Sequence, residues 1–191
     1  MESLQDLKDA EVFISNALRQ WYQCRSISLS PTMIIARING AIVGTVALYL
    51  SVHDSLFPME DIYDFDYQNM PLPFNRDRIV QFGRWIASAE GVSRALLYAS
   101  AIAGIAKGCQ YGLAEVKPKI AEVLSGIGVK LYFPSYRLRL DKIPEAIRPY
   151  YDLPPAPMPC MVDLEQKKGL LEGYISEKIS EGQIIMDILR P

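Results

Sequence analysis

Asn39-Gly40 lies between two apolar runs, Met33 to Ile38 (MIIARI) and Ala41 to Leu50 (AIVGTVALYL), and nothing else in the chain constrains its fold as much. Asn and Gly tolerate the positive φ of a two-residue type I′ turn. β-branched runs on either side therefore predict an antiparallel hairpin.

Elements of both kinds surround this hairpin. Leu4, Leu7, Ile14, Leu18 and Trp21 recur at helical spacing, which predicts an amphipathic helix over the first twenty or so residues. Phe57 to Asn75 (FPMEDIYDFDYQNMPLPFN) is acidic and aromatic, and its prolines exclude a long regular element. Ile79 to Ala87 (IVQFGRWIA) reads as a buried strand with a bulge at Gly83. The turn Ser88 to Gly91 leads into a helix from Val92 to Lys107, stopped by Gly108. Leu113 to Val116 is a short strand, and Pro118 opens a helix ending near Gly126 or Gly128. Val129 to Leu140 is a strand pattern interrupted at Pro134, and Met161 to Leu164 fits a short edge strand. Strands alternating with helices after residue 79 imply a mixed α/β sheet. We expect one domain over 1–191, with a core of about 30–140, a proline-rich surface connection over 144–159 and a C-terminal helix over 165–189.

Bulk properties narrow the function. A formal net charge of −2 speaks against nucleic-acid binding, which depends on a basic surface. Three cysteines (Cys24, Cys109, Cys160) and one histidine (His53) give neither a disulfide framework nor a zinc-ligand spacing, so we expect no metal. The same cysteines, with an acidic N-terminus lacking an apolar signal core, point to a cytoplasmic setting. Ala95 to Ala106 is the longest apolar stretch and falls short of the roughly twenty residues that span a bilayer.

The order of motifs resembles the GNAT superfamily of N-acyltransferases, in particular the branch of acyl-homoserine-lactone (autoinducer) synthases and long-chain N-acyl amino acid synthases. Ile38-Asn39-Gly40 to Val43-Gly44-Thr45 is similar to the family's second and third strands. Leu56 to Glu60 resembles the "lP.E" segment of the N-acyl amino acid branch, and Gln81-Phe82-Gly83-Arg84 stands where that branch carries Glu-x-x-Arg. Gly128-Val129 falls where the superfamily often has Gly-Phe. The match covers about residues 30 to 136.

The resemblance implies a mixed, mostly antiparallel sheet flanked by helices. It also implies a thioester donor, acyl-CoA or the acyl-phosphopantetheine of acyl carrier protein, with no permanently bound cofactor and a small amine as acceptor. Gln81 and Arg84 would take the catalytic pair of positions. Trp85, Ile86 and Ala87 would lie against the donor, and Ser88, Gly91, Val92, Ser93 and Arg94 would form its phosphate turn. The physics suits that last assignment, because a helix N-terminus presents free N–H groups and a positive dipole end.

Three positions and one motif depart from the pattern. Gln81 replaces a Glu, Ala47 an Arg, and Leu124 a Tyr, while the Asp-x-x-Asp before the hairpin has no counterpart in Ser26 to Thr32. A domain of the same fold that binds an acyl or CoA-type ligand, or a protein partner, without catalysis is therefore the alternative.

Other residues carry two readings each. Asp54, Glu60, Asp61, Asp64 and Asp66 read as a solvated acidic loop before a cation site. His53 reads as a structural histidine before a base, and Arg137 with Arg139 as an exposed edge before an anion contact. The Val92 helix reads as core before an acyl tunnel. The C-terminal helix stands equally as a cap over the acyl pocket or a dimer face.

Overall fold

The structure, a computed structural model, describes residues 2–25, 32–51, 55–170, 172 and 185–189. His53, Asp54 and most of the segment expected to carry the missing Asp-x-x-Asp lie outside the described residues. In chain order the elements are α1 (Glu2–Tyr22), β1 (Thr32–Ile38), β2 (Ala41–Leu50), β3 (Tyr63–Phe65), β4 (Ile79–Ala87), α2 (Val92–Ala106), β5 (Tyr111–Val116), α3 (Pro118–Gly126), β6 (Tyr136–Leu138), α4 (Arg148–Asp152), β7 (Met158–Asp163) and β8 (Ile185–Leu189). A six-stranded sheet runs β7-β5-β4-β2-β1-β8, and β3 with β6 forms a separate ribbon. Within the large sheet only β4 and β5 are parallel.

The Asn39-Gly40 hairpin forms as its sequence demands. Ile38 pairs Ala41, and φ is 50° at Asn39 and 80° at Gly40. Alternation along β1 then divides the core between two faces. Met33 and Ile35 pack with Leu7, Ala10, Ile14 and Ala17 of α1, while Ile34 and Ala36 join Val46, Leu48 and Leu96 beneath α2. Covered on both faces, β1 and β2 can be apolar throughout. Gly44 sets how closely α2 approaches, since a Cβ there would stand 2.4 Å from Val92 Cγ1 and 3.0 Å from Leu96 Cδ1.

Three expectations are corrected. The Val129 to Leu140 pattern yields only β6, paired with β3 away from the main sheet, and a lone bridge from Tyr132 to Met161. The stretch 165–189 is helical at 164–170 and 172, but it ends as β8, antiparallel to β1 from Arg37↔Ile185 to Met33↔Leu189. The β-branched Ile185 and Ile188 suit a strand better than a helix, and β1 offers an unpaired ladder on that side. The proline-rich connection is also more than surface: its short helix α4 buries Tyr151. Lys117 Nζ anchors that connection by donating to the carbonyls of Tyr150, Leu153 and Pro155 at 2.6, 2.7 and 2.9 Å. Among the described residues, no helix is long and apolar enough to cross a membrane.

Candidate functional site

The sheet opens at its centre. β4 and β5 pair only from Ile79↔Tyr111 to Gln81↔Leu113. Beyond that point β4 stays on β2 as far as Ala87↔Gly44, and β5 stays on β7 as far as Val116↔Met158. Each middle strand keeps its outer neighbour and leaves the other. The result is a V whose apex lies at Gln81 and Leu113.

A bulge sharpens the opening. Thr45 pairs Ile86 and Ala47 pairs Gly83, so Val46 faces both Arg84 and Trp85. Arg84 takes φ 50°, the left-handed region that non-glycine residues avoid, and Thr45 Oγ1 donates to its carbonyl at 3.0 Å. The bulge thus falls at Arg84, one residue past the glycine expected to carry it. An extra residue inverts the alternation downstream. Val80 and Phe82 face α2 before the bulge, and Trp85 and Ala87 face it afterwards, while Ile86 packs under α1. The Ile86 side chain therefore lies on the opposite sheet face from Trp85. Ser88 N–H donates to Val43 O at 2.9 Å, so ladder alternation turns the Ala87 N–H away from β2, toward the opening.

The remaining expected residues cluster at the mouth of the V. Gly91 is the N-cap of α2 at φ 78°, a backbone state only glycine takes readily. Val92 is buried against Gly44, whereas Ser93 and Arg94 are exposed on the first turn. Ser88 does not cap the helix. Its hydroxyl donates to Val43 O at 3.0 Å and ties the turn to β2.

Gln81 is buried, and its Oε1 accepts the Met59 N–H at 3.0 Å. This bond docks the 3-10 turn Pro58–Asp61 on β4. Glu60 in that turn is 4% exposed, so it is no solvated acid. It is ion-paired with Arg76, accepts from Tyr67 Oη, and takes the Phe57 N–H at 2.7 Å. Arg139 Nη2 clamps the same turn through the carbonyls of Glu60 and Asp61, both at 2.7 Å, so it is not simply an exposed edge. Asp61, Asp64 and Asp66 are exposed. Ala47 is buried opposite Gly83, and Leu124 packs into the core.

Sequence reasoning missed two ionisable groups flanking the V. On the face away from α2, Glu115 of β5 is half-buried among Tyr63, Tyr150 and Tyr151, and Tyr151 Oη donates to its Oε2 at 2.8 Å. Burial raises its carboxyl to about 7, against the lowering effects of the Tyr151 and Tyr63 hydroxyls and of the Lys117 charge. Its one hint in the sequence was an acid inside a short apolar strand. On the α2 face, Lys167 is buried with Nζ 3.0 Å from Ser100 Oγ, 4.3 Å from the Phe82 ring centre and 5.7 Å from that of Trp85. Burial lowers its ammonium to about 7. Cys24, Cys109 and Cys160 are buried free thiols. Among the described residues, no group of three or more His, Cys, Asp or Glu is placed to hold a metal.

A mixed sheet split between two central parallel strands, bulged on one, with a helix starting at its mouth, defines the acyl-CoA N-acyltransferase fold. Solved structures agree. Apo TofI superposes with a TM-score of 0.61 at 14% identity, over 88% of this chain and 90% of that one. BjaI, a CoA-dependent acyl-homoserine lactone synthase solved with SAM and isopentyl-CoA, gives 0.61 at 15% identity, over 90% and 83%. FeeM, an N-acyl amino acid synthase from uncultured soil microbes, gives 0.54 at 10%, over 85% and 94%. No protein-family model matches the chain, and no curated protein matches it in sequence.

Proposed function

We propose that the protein moves an acyl group from a pantetheine thioester, acyl-CoA or acyl carrier protein, to a small amine. The observation that carries this reading is the split beyond Gln81↔Leu113, which leaves the β5-facing edge of a bulged β4 beside the first turn of α2. Acyl transfer needs donors aimed at a developing oxyanion and a neutral amine as nucleophile. The Ala87 amide faces the opening, and the turn at Gly91 suits the anionic end of the donor. In this reading the donor is a substrate, with Gln81, Arg84, Trp85 and Ala87 around its reactive end. Ser88, Gly91, Val92, Ser93 and Arg94 form the turn at its phosphate. Proteins of similar shape include a CoA-dependent acyl-homoserine lactone synthase and an N-acyl amino acid synthase. A cytoplasmic location fits the free thiols.

A second reading is a donor-binding domain without turnover. Gln81 is already engaged with Met59, and Ala47 and Leu124 supply no polar group. Native mass spectrometry of freshly purified protein tests the donor, and thiol release from acyl-CoA and acyl carrier protein donors over a panel of amines tests transfer. Retained ligand with no thiol release selects the second reading. Unchanged transfer in Arg84→Ala would remove Arg84 from the site.

A further inference from the structure

We propose that Glu115 is the proton acceptor for the amine in this cleft, in the place of the base that Gln81 cannot provide; the inference rests on the acyltransferase reading. Gln81 pairs Leu113, and Glu115 follows two residues later on β5, roughly 7 Å further along the strand at the usual rise. Alternation puts Gln81, Leu113 and Glu115 on one sheet face. Their neighbours agree, since Leu113 and the tyrosines around Glu115 share one cluster with Met59, the partner of Gln81. Glu115 therefore stands just past the apex, on the strand facing the opened edge of β4.

The chemistry balances without a further reactant. The incoming ammonium gives one proton to the Glu115 carboxylate and becomes a neutral amine. Its lone pair forms the C–N bond at the thioester carbonyl carbon, and the C–S bond breaks with its electron pair leaving on sulfur. One of the two protons left on the nitrogen passes to the thiolate, the other stays as the amide N–H, and Glu115 returns its own to water. A base works best with a pKa near the working pH, and Glu115 at about 7 meets that requirement. The groups around it do not compete. Tyr63, Tyr150 and Tyr151 are held well above neutrality, chiefly by burial, and the Cys160 thiol is pushed up to about 12 by the same cause. Lys117, whose ammonium burial lowers, is bound to three carbonyls. Lys167 also lies near 7 but on the α2 face, beneath Phe82 and Trp85.

The experiment measures thiol release from acyl-CoA and acyl carrier protein donors between pH 5.5 and 9 for the wild type, Glu115→Gln and Tyr151→Phe, with donor binding followed by tryptophan fluorescence. Expected are donor binding in all three, a wild-type rate that falls on the acidic side, and a Glu115→Gln rate lower by on the order of 10²-fold or more with that fall abolished. Tyr151→Phe removes a bond that holds the Glu115 pKa down, so its acidic fall moves to higher pH. A Glu115→Gln enzyme with the wild-type rate and profile overturns the proposal, as does a wild type that binds donor and acylates no amine. A wild type that binds no donor overturns the acyltransferase reading and this one with it. If Glu115→Gln loses its native tryptophan emission, Tyr151→Phe decides alone: an unmoved acidic fall rejects Glu115.

Discussion

The backbone N–H of Met59 donates to the side-chain oxygen of Gln81 at 3.0 Å, and both residues are buried. A side chain at the apex of the opened sheet is thus spent on holding a loop. The same bond gives the loop one fixed position over the face that carries Glu115.

Gln81→Leu should therefore destabilise the fold by about 1–3 kcal/mol, because it strands a buried N–H. Gln81→Glu keeps an acceptor and should lose much less at a pH low enough to leave its buried carboxyl neutral. Urea midpoints of the two variants, measured at one pH, give the comparison. Equal losses would mean that the Met59 bond carries no weight.

Glu115 should make the native state less stable as pH rises. Its folded pKa of about 7 lies above the 4.5 of an ordinary glutamate carboxyl. Between those values the folded chain binds more protons than the unfolded one, so stability falls through that window and the full cost stands above it. Glu115→Gln should match the wild type near pH 4 and melt higher than it at pH 8. Thermal melts at the two pH values read the difference, and the reverse order would show that Glu115 prefers its charged form here.

Lys167 works in the opposite sense. Burial lowers its pKa from 10.5 to about 7, so the unfolded chain binds more protons between those values and stability rises with pH across them. Lys167→Met keeps the apolar stem over Phe82 and Trp85 and removes the charge. It should gain most stability at or below pH 7 and nothing near pH 10.5. Denaturant midpoints across that range check it. A variant weaker than the wild type at pH 6 would mean that Ser100 and the two rings fully offset the desolvation of the ammonium.

The scaffold was readable where one short-range rule decided the outcome. Asn39-Gly40 allows one turn, Pro118 and Gly108 sit where helices start and stop, and the alternation in β1 serves two covered faces. The bulge was misplaced by one residue because glycine is the usual guess for it, whereas Arg84 is held at positive φ by tertiary contacts, among them the bond from Thr45. The strand β8 was missed because only its long-range partner β1 separates it from an amphipathic helix. Glu115 and Lys167 were illegible for a similar reason. Their chemistry arises from burial beside residues far away in sequence, such as Tyr63 for Glu115 and Phe82 for Lys167.

Arg84 offers a way to separate backbone from side chain. Both Arg84→Ala and Arg84→Gly delete the guanidinium, but only glycine takes φ 50° without a Cβ clash. Arg84→Gly should be more stable than Arg84→Ala by about 1 kcal/mol, while the two lose donor binding or transfer equally. Denaturation midpoints give the first comparison and thiol release the second. If Arg84→Ala were the more stable, the left-handed backbone would not persist without the arginine.

Gly44 links the packing of the sheet to the mouth of the cleft. A Cβ there would lie 2.4 Å from Val92 Cγ1 and 3.1 Å from Ile86 O, and the second of these is backbone that cannot swing aside. Gly44→Val must therefore push the first turn of α2 away from β2, taking Gly91 with it. Overpacking of this kind costs about 1–3 kcal/mol. For a chain of this length that is a fall of roughly 2–4 °C in Tm per kcal/mol. Because the displaced turn is the one proposed for the donor's anionic end, the variant should weaken donor binding even at temperatures where it is fully folded. Gly126, which has nothing within 4 Å of an added Cβ, is the control: Gly126→Ala should change neither Tm by more than about 2 °C nor binding. Full donor affinity in folded Gly44→Val would detach the α2 turn from the site.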